Sequence, residues 1–171
     1  MLEGNVSSGK TSFSNCLKHE QFTECFPEPL NEWSFTQTET ENFFEQYLKD
    51  QDNEEKAFQF QLCVLYSYFF LAERISHCRQ KYTLQERSIL SCMNIFIPLL
   101  RVSKHKRQFL QNQARALFKR IQKPDLLIIL ESDPDTCMKR LELRNRSHEK
   151  YDFAYIEHNA CDNFFMNLPL H

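Results

Sequence analysis

The chain holds 2 glycines in 171 residues, Gly4 and Gly9, and both lie in the stretch Gly4-Asn5-Val6-Ser7-Ser8-Gly9-Lys10-Thr11. Average usage would supply roughly a dozen in this length. The stretch fits the phosphate-binding loop G-x-x-x-x-G-K-[S/T]. Glycine lets successive N–H groups converge on an anion with no Cβ in the way. Such a loop needs a strand before it and a helix after it, so it fixes a strand–loop–helix unit at the start of the fold. Lys10 is placed to reach the β/γ-phosphates of a nucleotide, and the Thr11 hydroxyl to hold Mg²⁺. The alternative is a chance glycine turn before a surface helix. Only Met1, Leu2 and Glu3 precede Gly4, so the expectation is that either most of the first strand has been lost or the sequence is incomplete.

The length suits one domain, residues 1–171, with room for a core. Lys+Arg number 21 against 23 Asp+Glu, a formal charge of −2. That balance argues against a protein that coats nucleic acid, although a local basic groove stays open. The 16 Phe residues point to a dense helical core. Seven cysteines, at 16, 25, 63, 78, 92, 137 and 161, include no C-x-x-C. They read as reduced thiols inside a cell, in the cytoplasm ahead of the mitochondrion, rather than as disulfides or a zinc site. No apolar run reaches membrane-spanning length, and residues 1–11 are already the phosphate loop rather than a signal peptide.

Helices are predicted over 10–18, 40–50, 53–77 (capped by Asn53), 89–102 (kinked at Pro98), 106–122, from Pro134 into the basic segment 139–146, and over 153–166. The helix over 53–77 is apolar on nearly every side, which suggests burial on several faces including a subunit interface. Strands are predicted at 22–26, 82–84 and 126–130, the last an unbroken apolar run of the kind found in a parallel sheet covered on both faces. Alternating strands and helices behind a phosphate loop give an α/β three-layer fold.

Three further segments carry chemistry. Glu28-Pro29-x-x-x-Trp33 follows the second strand, and a carboxylate at a strand's carboxyl end can act as general base on a substrate hydroxyl. Glu86-Arg87-Ser88 follows the third: Glu suits Mg²⁺ or its waters, and Arg suits the charge on transferring phosphoryl oxygens. Arg140, Arg144 and Arg146 form a basic segment that can close over phosphates as a lid, about residues 140–150. Each alone could be a surface turn or a solvated charged face.

Taken together, Glu3-Gly4-Asn5-x-x-Ser8-Gly9-Lys10-Thr11, Glu28-Pro29-x-x-x-Trp33, Phe60-Gln61, Glu86-Arg87-Ser88 with Phe96, Pro124-Asp125-Leu126 and Arg144-x-Arg146 resemble the deoxynucleoside kinases. The resemblance covers about residues 3–166 in the right order, closer to the thymidine-preferring and insect members than to the deoxycytidine kinases. It implies a P-loop NTPase fold, three-layer α/β/α around a parallel sheet, here with the first and last strands truncated. It implies transfer of the ATP γ-phosphoryl group to the 5′-hydroxyl of a deoxyribonucleoside, with Mg²⁺ as cofactor and a homodimer as the assembled state.

The resemblance also implies a role for each matching residue. Gly4, Asn5, Val6, Ser7, Ser8, Gly9 and Lys10 hold the ATP phosphates, with Arg144 and Arg146 from the lid. Thr11 and Glu86 hold Mg²⁺. Glu28 takes the proton from the 5′-hydroxyl, and Arg87 stabilises the phosphoryl group beside it. Gln61 pairs with the base edge, Phe96 stacks on the base, and Trp33 lines the pocket. Tyr47 and Glu149 bind the sugar 3′-hydroxyl. Ser7 stands where the family usually has Gly or Ala, Met93 where it commonly has Arg, and Glu131 where a strand-end Arg is usual. The Asp–Arg pair of the deoxycytidine kinases is absent, its positions being Cys92 and Tyr68. A bulky Tyr68 narrows the pocket against purines, so thymidine and deoxycytidine are the expected substrates.

Two rival enzymes and one non-enzyme stand beside this reading. A GTPase needs a D-x-x-G glycine, and none follows Gly9. A nucleoside monophosphate kinase should carry extra basic residues near Glu28, and none is there. The rival from another class is an inactive remnant that binds nucleotide or only dimerises.

Overall fold

The computed structural model describes residues 1–18, 23–34, 43–144 and 156–157. Its elements run β1 (Leu2–Gly4), α1 (Lys10–Leu17), β2 (Thr23–Phe26), α2 (Leu30–Trp33), α3 (Phe43–Lys49), α4 (Glu54–Ser76), β3 (Tyr82–Gln85), α5 (Ile89–Ser91), a π-helical turn (Cys92–Phe96), α6 (Ile97–Leu99), α7 (Lys104–Phe118), β4 (Ile128–Leu130) and α8 (Pro134–Arg144). The chain divides into two compact units. One comprises residues 1–27, 79–87 and 124–171; the other comprises 28–78 and 88–123.

The first unit carries the four strands found among the described residues. β2 pairs in parallel with β3, Thr23 opposite Tyr82 through Phe26 opposite Gln85. β1 pairs in parallel with β4, Leu2 opposite Ile128 and Gly4 opposite Leu130. A parallel bridge between Leu2 and Glu86 joins the ladders in the order β2-β3-β1-β4. The Arg87 N–H to Leu2 O bond at 2.9 Å seals that join, and the Glu86 N–H to Phe26 O bond at 2.8 Å extends the β2–β3 pairing beside it. The first strand is therefore short but present: Leu2, Glu3 and Gly4 are all buried in it. The predicted strand over 126–130 keeps only its last three residues, and these are half-buried while Leu126 is exposed. The end of the chain, where truncation of the last strand is expected, lies outside the described residues.

The second unit is helical. α4 begins where Asn53 accepts the Lys56 N–H on its side-chain oxygen at 3.1 Å, with Glu54 and Glu55 in the first turn. It buries Ala57, Phe60, Gln61, Val64, Leu65, Ser67, Tyr68, Phe69 and Leu71. The helix predicted over 89–102 is instead three short pieces ending at Leu99. Pro98 has no N–H for the carbonyl four residues back. The turn before it widens, so that the Ile97 N–H reaches Cys92 O, and Leu100 leaves the helix with an extended ψ of 133°. α7 starts two residues earlier than predicted and stops at Phe118. There the Lys123 ammonium takes the Phe118 carbonyl and lies 3.5 Å from that residue's ring centroid. The sequence did not foretell α2, a single turn after Pro29.

Candidate active site

In the first unit the loop after β1 turns through three residues with positive φ: Gly4 at 149°, Ser7 at 59° and Gly9 at 103°. Gly4 is needed for packing as well as for its φ. A Cβ there would lie 2.7 Å from Leu130 O and 2.7 Å from Ser8 Oγ. Ser7 shows why small, flexible residues suit its position, because a side chain in the left-handed region is disfavoured. Asn5 fastens the loop on both sides. Its Oδ1 accepts the Val6 N–H at 2.7 Å and its Nδ2 donates to Ile156 O at 2.8 Å. Val6 packs with Cys137 and Leu141 of α8 and with Ile156. Burial pushes the Cys137 thiol up, keeping it neutral in this apolar seat.

Lys10 opens α1 and is buried, its ammonium donating to Gly4 O at 3.1 Å and Asn5 O at 2.6 Å. Next to it, the Thr11 hydroxyl donates to the Glu86 carboxylate, 3.1 Å from Oε1 and 3.2 Å from Oε2. Glu86 and Arg87 are both buried at the end of β3, and Arg87 sits at φ 59°. A hydroxyl beside a buried carboxylate is a hard oxygen donor set of the kind Mg²⁺ takes. A Cβ at Gly4 would meet the Leu130 carbonyl and the Ser8 hydroxyl, so the first turn of the loop needs glycine. These residues fit an ATP–Mg²⁺ group.

α8 is capped as expected: Asp133 Oδ1 accepts the Thr136 N–H at 2.8 Å. That hydrogen bonding holds the Asp133 carboxyl below its ordinary value. Arg144 ends α8 and is exposed. Arg140, on the same helix, folds back to the loop carbonyls of Ser7 at 3.4 Å and Ser8 at 3.2 Å. Arg146 and Glu149 lie outside the described residues, as does most of the segment 140–150.

In the second unit Glu28 is half-buried at the entry to α2, its carbonyl accepting the Leu30 N–H at 2.8 Å. Trp33 is buried, and its indole N–H donates to Ser67 Oγ at 2.7 Å. Its ring stands edge-on to Phe44, Phe60 and Tyr68 at centroid distances of 6.0, 6.0 and 5.9 Å. Tyr47 stacks on Phe60 at 4.6 Å. Tyr68 is fully buried and so belongs to this aromatic cluster rather than to an exposed face. Gln61 is 4% exposed, and its Nε2 has no hydrogen-bond partner among the described residues. A buried amide left in that state is costly unless something else meets it. Phe96 closes the π-helical turn, half-buried, and Cys92 opens it, fully buried. Sequence reasoning missed Ser67 as the acceptor for Trp33 and Arg140 as a loop partner; neither belongs to a motif with a fixed spacing.

A parallel strand leading through a glycine-hinged phosphate loop into a helix, with a lysine and a hydroxyl at that helix's start, defines a P-loop phosphate-binding protein. The deoxynucleoside kinase family model matches residues 1–159, and the chain belongs to that family. Human deoxycytidine kinase is 27% identical over 186 aligned residues, which take in 91% of this chain and 70% of that protein. The chain is thus a phosphotransferase acting on deoxynucleosides for salvage, built on the P-loop NTPase fold of its family. Among the described residues no helix is long and apolar enough to cross a membrane.

Proposed function

We propose that this enzyme moves the γ-phosphoryl group of ATP to the 5′-hydroxyl of a pyrimidine deoxyribonucleoside. The observation that carries the reading is the Lys10–Thr11–Glu86 constellation around the loop: a buried cation, a hydroxyl and a buried carboxylate beside a backbone cradle. Lys10 would leave the carbonyls of Gly4 and Asn5 for the β/γ-phosphates, and the loop N–H groups would receive the remaining phosphate oxygens. Thr11 and Glu86 would hold Mg²⁺, which when bound neutralises charge between those phosphates.

Arg87 would offset the charge on the phosphoryl oxygens, with Arg144 and Arg146 contributing from a lid. Glu28 would accept the 5′-hydroxyl proton. In the aromatic cluster Gln61 would meet the base edge, Phe96 its face, and Trp33 and Tyr68 its flanks, while Tyr47 and Glu149 would hold the sugar 3′-hydroxyl. We read residues 1–171 as one kinase domain with a three-layer sheet. We read the protein as intracellular, cytoplasmic ahead of mitochondrial, since the six described cysteines are free thiols.

A homodimer formed through α4 fits the exposed Tyr66 and Phe70 on that helix. Sedimentation at micromolar concentration checks it, and a monomer there counts against it. The function is tested with labelled ATP against the four deoxynucleosides. The expected result is labelled 5′-monophosphate, formed fastest from thymidine and lost in Lys10→Ala. Turnover that survives Lys10→Ala would remove the phosphate-loop assignment.

A further inference from the structure

Ser7 is held at φ 59°, in the left-handed region that a side chain occupies at a cost. A conformation of this kind persists only where its surroundings over-determine it. Besides the bonds of Asn5 within the loop, one guanidinium braces this turn from outside. Arg140 Nη1 lies 3.4 Å from Ser7 O, 3.2 Å from Ser8 O and 3.4 Å from Ser132 Oγ. Ser132 Oγ in turn donates to Ser8 O at 3.3 Å. The same nitrogen would stand 3.8 Å from a Cβ at Gly9, so the arginine is seated against the loop's last hinge.

We propose that Arg140 is a positioning residue of the phosphate loop, fixing the Ser7 and Ser8 carbonyls and thereby the left-handed turn at Ser7. In a trans peptide the N–H points opposite to the C=O. With both carbonyls drawn to Arg140, the Ser8 and Gly9 N–H groups face away from it. The Ser8 N–H meets Asn5 O at 3.2 Å, closing the inner turn. The Gly9 N–H is left aimed away from the guanidinium as an anion donor. A charge-assisted bond is stronger than a neutral one, which suits a contact that must hold a strained turn. This assigns Arg140 to the outer wall of the loop and leaves the lid role to Arg144 and Arg146. The inference rests on the reading of the loop as the ATP phosphate site.

The test is a double-mutant cycle between Arg140 and Ser7, read as ATP affinity by equilibrium titration without nucleoside. Arg140 is exposed on α8, so Arg140→Ala opens no cavity and folding is not at stake. Ser7→Gly frees the turn from its need of support. Arg140→Ala alone is expected to weaken ATP binding about tenfold, the scale set by one left-handed residue, and less than about threefold when Ser7→Gly is also present. The affinity of Ser7→Gly alone is the reference for the loss in the second background. Equal losses in both backgrounds would mean that Arg140 acts on the nucleotide directly, and would overturn the proposal. No loss in either background would overturn it as well. An unaltered chain that binds no ATP would instead sink the phosphate-loop reading itself, which separates the two failures.

Discussion

The Thr11 hydroxyl and the Glu86 carboxylate meet across 75 residues of sequence, the Thr11 oxygen 3.1 Å and 3.2 Å from the two carboxylate oxygens. Two strands make this possible. β1 delivers the loop and the start of α1, and β3 ends at Gln85, so Glu86 emerges beside it through the Leu2–Glu86 bridge. The pair brings a hydroxyl and a carboxylate to one point without any local sequence signal linking them.

Removing the charge from that pair should separate metal use from folding. Glu86→Gln keeps the shape and can still accept from Thr11. We expect kcat to fall roughly 10²-fold, the scale for losing one electrostatic stabiliser of a transition state. The Mg²⁺ concentration giving half-maximal rate should rise. Rates measured over a Mg²⁺ titration check this, and an unchanged titration curve would take Glu86 out of the metal site.

The two glycines should differ in what they tolerate. Gly4→Ala sets a Cβ 2.7 Å from the Leu130 backbone oxygen, which cannot move without breaking the β1–β4 pairing. A loss of at least about 2 kcal/mol in unfolding free energy is expected, from overpacking and an unfavourable φ together. Gly9→Ala meets nothing closer than 3.8 Å, so only its φ is penalised and about 1–2 kcal/mol is expected. Urea unfolding of both variants gives the order; a milder Gly4→Ala would contradict the packing argument.

Much of this arrangement was legible in the chain, and the reason is physical. The loop motif, the Asn53 and Asp133 caps and the apolar run ending at Leu130 are local signals, and each element they foretold is present. The misses have non-local or competing causes. Glycine economy suggested phosphate alone at Gly4, but the neighbouring strand's carbonyl is what fills its Cβ position. Helical periodicity carried 89–102 as one helix, while the missing Pro98 N–H rearranged the turn before it. The bond between Trp33 and Ser67 spans 34 residues, and no spacing rule announces it.

Glu28 offers a clean separation of binding from chemistry. Glu28→Gln retains size and hydrogen-bonding capacity and loses basicity. Nucleoside affinity should hold while kcat falls roughly 10²-fold or more, the usual contribution of a general base. Steady-state kinetics with a single-turnover control decide it. A raised KM with kcat intact would make Glu28 a binding residue instead.

On the proposed reading, substrate preference would turn on Tyr68. Its ring is fully buried, 5.9 Å from Trp33 at 72°, on the same helix as Gln61 and seven residues further along. Two helical turns bring positions 61 and 68 onto one face of α4. The Gln61 amide offers one donor and one acceptor edge, matching thymine and, turned over, cytosine. On the proposed reading, a phenol ring on that face would take up volume that a purine's second ring would need. We therefore expect kcat/KM in the order thymidine, deoxycytidine, then the purine nucleosides. Tyr68→Ala should raise the purine-to-pyrimidine ratio of kcat/KM about tenfold, the scale of discrimination that a hydrophobic pocket achieves by shape. Emptying a fully buried aromatic site also costs about 3–5 kcal/mol of stability, so absolute rates will drop. The ratio, taken on one preparation, cancels the inactive fraction. A purine turned over as well as thymidine by the unaltered enzyme would overturn the pocket argument, and an unchanged ratio in Tyr68→Ala would exclude Tyr68 from it.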